Sequence, residues 1–147
     1  MKRIIKLIFV IAIILPGVTN AQCDSLHQYL GNGKTNVIEM GGTVVEEPPQ
    51  FPGGEDARVI FFKENIKLPK NWCPDSITGK VFITFIVDNQ GNIKYPCILR
   101  GLNPTLDSIA IATVKKMPKW IPAKQRGVPV TMQFNLPVKF GSDKKKK

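Results

Sequence analysis

The chain has 147 residues, 43% hydrophobic and 22% charged, a composition that argues against a disordered or polytopic membrane protein and a length that suits one domain with a single modest core. Its formal charge of +10 sits largely at the ends, in Lys2, Arg3 and Lys6 and in the run Lys144 to Lys147. Gln22 to Asp143 holds 14 basic against 11 acidic residues, too weak a surplus for a nucleic-acid binder.

The first element is an export signal. Lys2, Arg3 and Lys6 precede the apolar run Leu7–Leu15, which is followed by Pro16-Gly17 and the small-residue stretch Val18 to Ala21. A basic start, a short apolar centre, a helix break and a cleavable end form a signal peptide over residues 1–21. Counted from Ile4 to Val18 the apolar segment gives about 22 Å of helix against a hydrocarbon core of about 30 Å. The expected outcome is therefore cleavage after Ala21 and export. The alternative is a retained membrane anchor through residues 4–18, with Lys6 reaching back to the interface. Gln22 stands where a lipoprotein signal wants a small residue, so Cys23 is not read as a lipid attachment site.

Export implies an oxidising compartment, where cysteines pair. Three are present, Cys23, Cys73 and Cys97, allowing one bridge and one thiol left over. No C-x-x-C spacing suggests redox catalysis. A Cys73–Cys97 bridge would enclose 23 residues and add about 3 kcal/mol. The other reading is two buried thiols packing as small apolar groups.

Residues 22–50 contain few large apolar side chains and carry Gly31, Gly33, Gly41-Gly42 and Pro48-Pro49, which predicts an extended leader. Its Val37-Ile38 and Val44-Val45 pairs suit a short strand. Charge is uneven along the chain: Gln22–Glu64 holds three basic and seven acidic residues, Asn65–Phe140 eleven and three. An acidic leader lying over a basic face accounts for this. From Phe51 the pattern sharpens into a domain over 51–140, with a basic tail at 141–147. Pro52-Gly53-Gly54 breaks the chain, Glu55-Asp56 favour a helix start, and Ala57, Ile60, Phe61 and Glu64 at helical spacing predict a helix ending near Lys67. A turn or short irregular helix follows at Trp72-Cys73-Pro74-Asp75.

Gly79–Asp88 is the clearest strand: Val81, Ile83, Phe85 and Val87 alternate with Phe82, Thr84 and Ile86, and two largely apolar faces predict a central strand covered on both sides. Asp88 to Asn92 is turn chemistry around Gly91. A return strand runs from Ile93 to Arg100, with Ile93, Tyr95, Cys97 and Leu99 on one face and Pro96 requiring an edge or a bulge. Asn103-Pro104-Thr105 caps and starts a second helix, with Leu106, Ile109, Ala110 and Met117 as its apolar stripe and Pro118 as its stop. After a turn at Lys124–Gly127, a last strand runs from Val130 to Phe140. Val130, Met132, Phe134, Leu136, Val138 and Phe140 point inward; Thr131, Gln133, Asn135 and Lys139 point outward.

These elements predict an α+β, two-layer fold: a three-stranded antiparallel-type sheet in the order return, central, last, with two helices on one face. The last strand is then an edge, consistent with Pro137. The catalytic inventory is empty. His27 has no partner at triad spacing, the acidic pairs Glu46-Glu47 and Glu55-Asp56 read as solvated carboxylates, and no phosphate loop or metal-ligand set appears, so no catalytic residue, metal or cofactor is expected. Trp72 and Trp120 read as core or rim packing. What remains is an edge strand with a basic turn (Lys124, Gln125, Arg126) at its entrance, able to accept an extended peptide as an added strand.

Taken in order, Phe51-Pro52-Gly53-Gly54, Gly79-Lys80-Val81, Val87-Asp88 before Gly91, Arg100-Gly101, Asn103-Pro104-Thr105-Leu106-Asp107, Met117-Pro118-Lys119-Trp120, Pro122, Gly127, Pro129-Val130 and Pro137 resemble the TonB C-terminal domain of energy transducers, across about Glu46–Phe140. The resemblance departs at Trp72, where the family usually has alanine, and at Ala123, where glycine is frequent. It implies a periplasmic location after cleavage, or an inner-membrane anchor through residues 4–18 as the alternative. It further implies docking to the plug of an outer-membrane TonB-dependent transporter, whose TonB box pairs with the last strand, here Val130–Lys139. The residues expected to bind are Gln125, Arg126, Val130, Thr131, Met132, Gln133, Phe134 and Asn135. It also implies a link to an inner-membrane ExbB–ExbD-type proton channel, which a membrane-anchored short transducer would use; Gln22–Gln50 fully stretched reaches only about 100 Å. An envelope enzyme or inhibitor, the remaining reading, would require a pocket gathering His27 with Cys23 or a carboxylate.

Overall fold

The strand that alternation marks most clearly is the centre of the molecule. A computed structural model describes residues 21–31, 37–38, 45–70 and 77–141. The expected signal peptide and anchor segment (except Ala21), the turn containing Trp72 and Cys73, and Lys144 to Lys147 lie outside the described residues. In chain order the elements are α1 (Ala21–Gly31), β1 (Val37–Ile38), α2 (Gly54–Asn65), β2 (Gly79–Val87), β3 (Ile93–Arg100), α3 (Pro104–Lys115), β4 (Ala123–Gln125) and β5 (Val128–Phe140).

The sheet order is β1-β5-β2-β3, with β4 also pairing β5. β2 is antiparallel to both β3 and β5, so the expected return–central–last core of an α+β fold is present. Two strands are added to it. β1 runs parallel to β5, which corrects the expectation that the last strand is the edge of the sheet, since the order ends on β1. β4 forms a hairpin with β5. The expected two helices on one face are also exceeded, because α1 forms in the segment predicted to be extended.

Val81, Ile83, Phe85 and Val87 of β2 are fully buried in the main core, with Leu106, Ala110 and Val114 of α3 and Leu136, Val138 and Phe140 of β5. α3 starts as its sequence dictates: the Asn103 side chain accepts from the Thr105 N–H at 2.8 Å and Pro104 stands in the first turn. α2 packs on the same cluster through Ala57, Phe61 and Phe62. Ile60, expected on its apolar face, is 54% exposed, because the helix turns the adjacent pair Phe61-Phe62 toward the sheet instead.

The second face of β2 carries Thr84 and Ile86, both buried. Leu26 of α1 packs there against Ile86 and Cys97, with Cys23, Tyr29, Leu30 and Tyr95 around them. Two register shifts in β3 make this packing possible, one between Phe82 and Ile83 of the partner strand and one between Thr84 and Ile86. Bulges re-aim side chains. Tyr95, at φ 52°, stacks on Tyr29 with centroids 5.0 Å apart, while Ile93 and Ile98 stay on the main core. The expected single face of Ile93, Tyr95, Cys97 and Leu99 is therefore split, and Leu99 is 55% exposed.

The same bulge turns Cys97 toward α1, where it forms a disulfide with Cys23 across 74 residues of sequence. This corrects the Cys73–Cys97 pairing: the Cys97 sulfur is already bonded to Cys23. Closing so long a loop restricts the unfolded chain strongly. Cys23→Ser is expected to cost about 4 kcal/mol in denaturant unfolding under non-reducing conditions. Cys73→Ser should leave the Cys23–Cys97 cross-link intact in a non-reduced peptide map.

Candidate functional site

β5 is the longest strand, and its two edges meet different neighbours. Along one edge, β2 pairs from Val87↔Met132 to Gly79↔Phe140 without a shift in register. β4 takes over beyond that point, with Ala123↔Val130, Lys124↔Pro129 and Gln125↔Val128. The hairpin between β4 and β5 is closed by Arg126 at φ 51° and Gly127 at φ 73°, the left-handed pair that lets a two-residue turn follow the twist of its strands. Met132 also pairs Ile38. A residue held by β2 and β1 at once has a strand on each side, so β1 lies on the far edge of β5.

Pro137 shows which backbone groups face that far edge. It pairs Phe82 inside the β2 ladder yet has no N–H, so its position must be one whose N–H would point away from β2. Alternation gives Thr131, Gln133 and Asn135 the same orientation. The backbone N–H groups of Gln133 and Asn135 therefore point outward, and among the described residues only β1, at Thr131 and Met132, occupies that edge.

The entrance of β5 is fixed by residues 46–50. Glu47 and Lys124 exchange backbone hydrogen bonds of 3.2 and 2.8 Å, as Gln50 and Ile121 do at 3.0 and 2.8 Å. The Lys124 ammonium pairs with the Glu47 carboxylate at 3.2 Å, and the Arg126 N–H donates to Glu46 Oε2 at 2.8 Å. The acidic leader thus lies on the basic turn, as the charge asymmetry suggested. Phe134 joins an aromatic group with Phe85 at 5.8 Å and Trp120 at 5.2 Å, which Phe51 extends at 5.9 Å from Trp120. Pro48, Pro49, Arg58, Trp120 and Phe134 border a groove of about 310 Å³.

Trp120 is held from the β2–β3 turn. Its backbone N–H donates to the Gly91 carbonyl at 2.8 Å, and a Cβ on Gly91, at φ 84°, would come within 1.9 Å of the Trp120 carbonyl oxygen. Only glycine allows that approach. Asp88 organises the turn: its Oδ1 accepts from the Gln90 and Asn92 backbone N–H groups, its Oδ2 from the Asn92 amide at 3.0 Å and from Lys94 at 3.1 Å. Burial pushes its pKa up, but the bonds from Asn92, Lys94 and Gln90 outweigh it and hold the carboxyl at about 2.

The residues expected to bind thus have distinct situations. Gln125 is in β4 with its side-chain oxygen buried and unpaired, and Arg126 forms the turn. Val130 pairs β4, and Thr131 and Met132, expected at an open border, are covered by β1. The Gln133 amide donates to Thr84 Oγ1 at 2.9 Å, Phe134 is in the aromatic group, and Asn135 Oδ1 is buried without a partner. His27 is exposed on α1 and Cys23 is in the disulfide, so the pocket required by the enzyme reading does not form from them. Sequence reasoning missed β4 and the anchoring of Trp120 by Gly91; the Val37-Ile38 pair was the one signal for β1.

The family model for the Gram-negative bacterial TonB protein C-terminal matches residues 65–141. The chain belongs to this family. No solved structure matches it. The match covers β2, β3, α3, β4 and β5; α1, β1 and α2 precede it, so the leader is added to a TonB C-terminal core. Membership makes this a TonB-like domain connected with TonB-dependent transport, in a transport-related rather than a catalytic family.

Asp88 links this site to pH. Its folded-state pKa lies below the ordinary 3.8, so its stabilisation is complete above about pH 5 and is lost as the pH falls through about 4 toward 2. Asp88→Asn is expected to lose on the order of 2 kcal/mol at pH 7 and to flatten the acid limb of a stability–pH profile measured by urea unfolding.

Proposed function

We infer that this TonB C-terminal protein is an exported docking module that binds an extended segment of an outer-membrane transporter by adding it as a strand along β5. One observation supports the reading: β1 covers the far edge of β5 at Thr131 and Met132, but beyond it the N–H groups of Gln133 and Asn135 face outward with no strand on them among the described residues. Strand addition draws affinity from such main-chain groups and specificity from the side chains beside them. On this reading Arg126 and Gln125 stand at the entrance of the guest strand, and Thr131 to Asn135 form its track.

A membrane-anchored transducer working with an ExbB–ExbD-type complex is the second reading, and the disulfide bears on it. Tension applied ahead of Cys23 would pass through sulfur directly into Cys97 of β3. Residues 24–50 would then add nothing to the reach of the tether, and the sheet would be held close to the membrane. Docking without a pull fits this geometry better.

Asn135→Pro removes one outward N–H and leaves the β2 ladder in place. It is expected to weaken capture of a transporter plug peptide at least tenfold in isothermal calorimetry while shifting the melting temperature by a few degrees; binding equal to wild type would refute strand addition at this edge. Mass spectrometry of the mature protein should find Gln22 as its first residue, whereas a retained Met1 would favour the anchored transducer.

A further inference from the structure

The far edge of β5 is not empty in the folded chain. Resting on the docking reading, we propose that β1 is a built-in competitor for the guest strand: the leader occupies the docking edge and must leave before a partner segment can pair.

Three observations lead there. Met132 is paired on both sides, by Val87 of β2 and by Ile38 of β1, so a guest reaching this part of the track meets a strand of the same molecule. The pairing is parallel, with Val37↔Thr131 and Ile38↔Met132, and its two residues are β-branched, the type that suits a pleated edge. Finally, the competitor is tethered. α1 is joined covalently to β3 by Cys23–Cys97 and ends at Gly31, six residues before Val37, a span of at most about 20 Å.

A link that short places β1 at an effective concentration on the order of millimolar beside its own edge. If β1 itself pairs with an intrinsic dissociation constant of about 100 µM, an unattached guest would then bind roughly tenfold more weakly than to a vacant edge. The geometry also specifies the guest: an extended segment parallel to β5 with β-branched residues opposite Thr131 and Met132. A partner offering a longer strand that continues past Gln133 and Asn135 gains pairs that the two residues of β1 do not make, which is how it displaces the leader. Residues 46–50, held separately on β4 and Ile121, stay in place during this exchange.

The test uses the mature full chain and a fluorescein-labelled synthetic peptide of this protein's own residues Thr35 to Met40, followed by fluorescence anisotropy. The double variant Val37→Pro/Ile38→Pro should bind the peptide about tenfold more tightly than wild type, and adding Gln133→Pro, opposite Glu39 of the peptide in the parallel register, to the double variant should remove the binding. Equal affinities for wild type and double variant, with Gln133→Pro still blocking both, would overturn self-occlusion and leave strand addition intact. No binding by the folded double variant would overturn strand addition itself. Amide hydrogen exchange on unmodified wild type gives a check independent of any variant's folding: the Thr131 N–H, which faces β1, should be protected in the isolated chain, and rapid exchange there would refute the proposal.

Discussion

β2 is paired on both edges and buried on both faces, and the rest of the molecule is arranged around that strand. Its nine residues pair with Phe140 to Met132 of β5 without a bulge, so the orientation of every backbone group in β5 is set by β2. This is why a proline is tolerated at position 137 and why the N–H groups of Gln133 and Asn135 face outward. A one-residue slip in this ladder would reverse both the buried face and the outward edge. The fully buried Val81, Ile83, Phe85 and Val87 make such a slip costly, each worth about 1.5–3 kcal/mol of burial.

On the other edge of β2 the ladder is irregular, and the irregularity has a use. The bulges in β3 carry Tyr95 and Cys97 onto the face that α1 covers. Apolar packing of Leu26 on Ile86, ring contact between Tyr29 and Tyr95, and the disulfide then act at the same place. A helix of 11 residues with a weakly apolar sequence is marginal by itself in water; tertiary contacts and a covalent bond hold it here. The helix of the leader is therefore an organised part of the structure, and β1 pairs with the far edge of β5 at Thr131 and Met132.

The functional surface is a backbone feature supported by side chains. Asp88 builds the β2–β3 turn, Gly91 receives Trp120, and Trp120 packs on Phe134 of β5. That chain of contacts connects the β2–β3 turn to the start of β5, while Glu46 and Glu47 hold the hairpin from outside.

The sequence by itself determined the parts governed by local rules. Alternation identified β2 and the run of β5, Asn103-Pro104 set the start of α3, Asp88 to Gly91 marked the turn, and short connections with an intervening helix required β3 and β5 to flank β2. The ordered Gly, Pro and Trp positions were enough for the family. Only the tertiary structure decided which cysteine meets Cys97, which face Tyr95 takes, that residues 21–31 form a helix, and that Val37-Ile38 pairs with Thr131 and Met132. These all depend on contacts between residues far apart in the chain. A bulge in β3 changes the face of a side chain without changing the composition around it, and a two-residue strand has no periodicity to read, so its existence rests on the edge it finds.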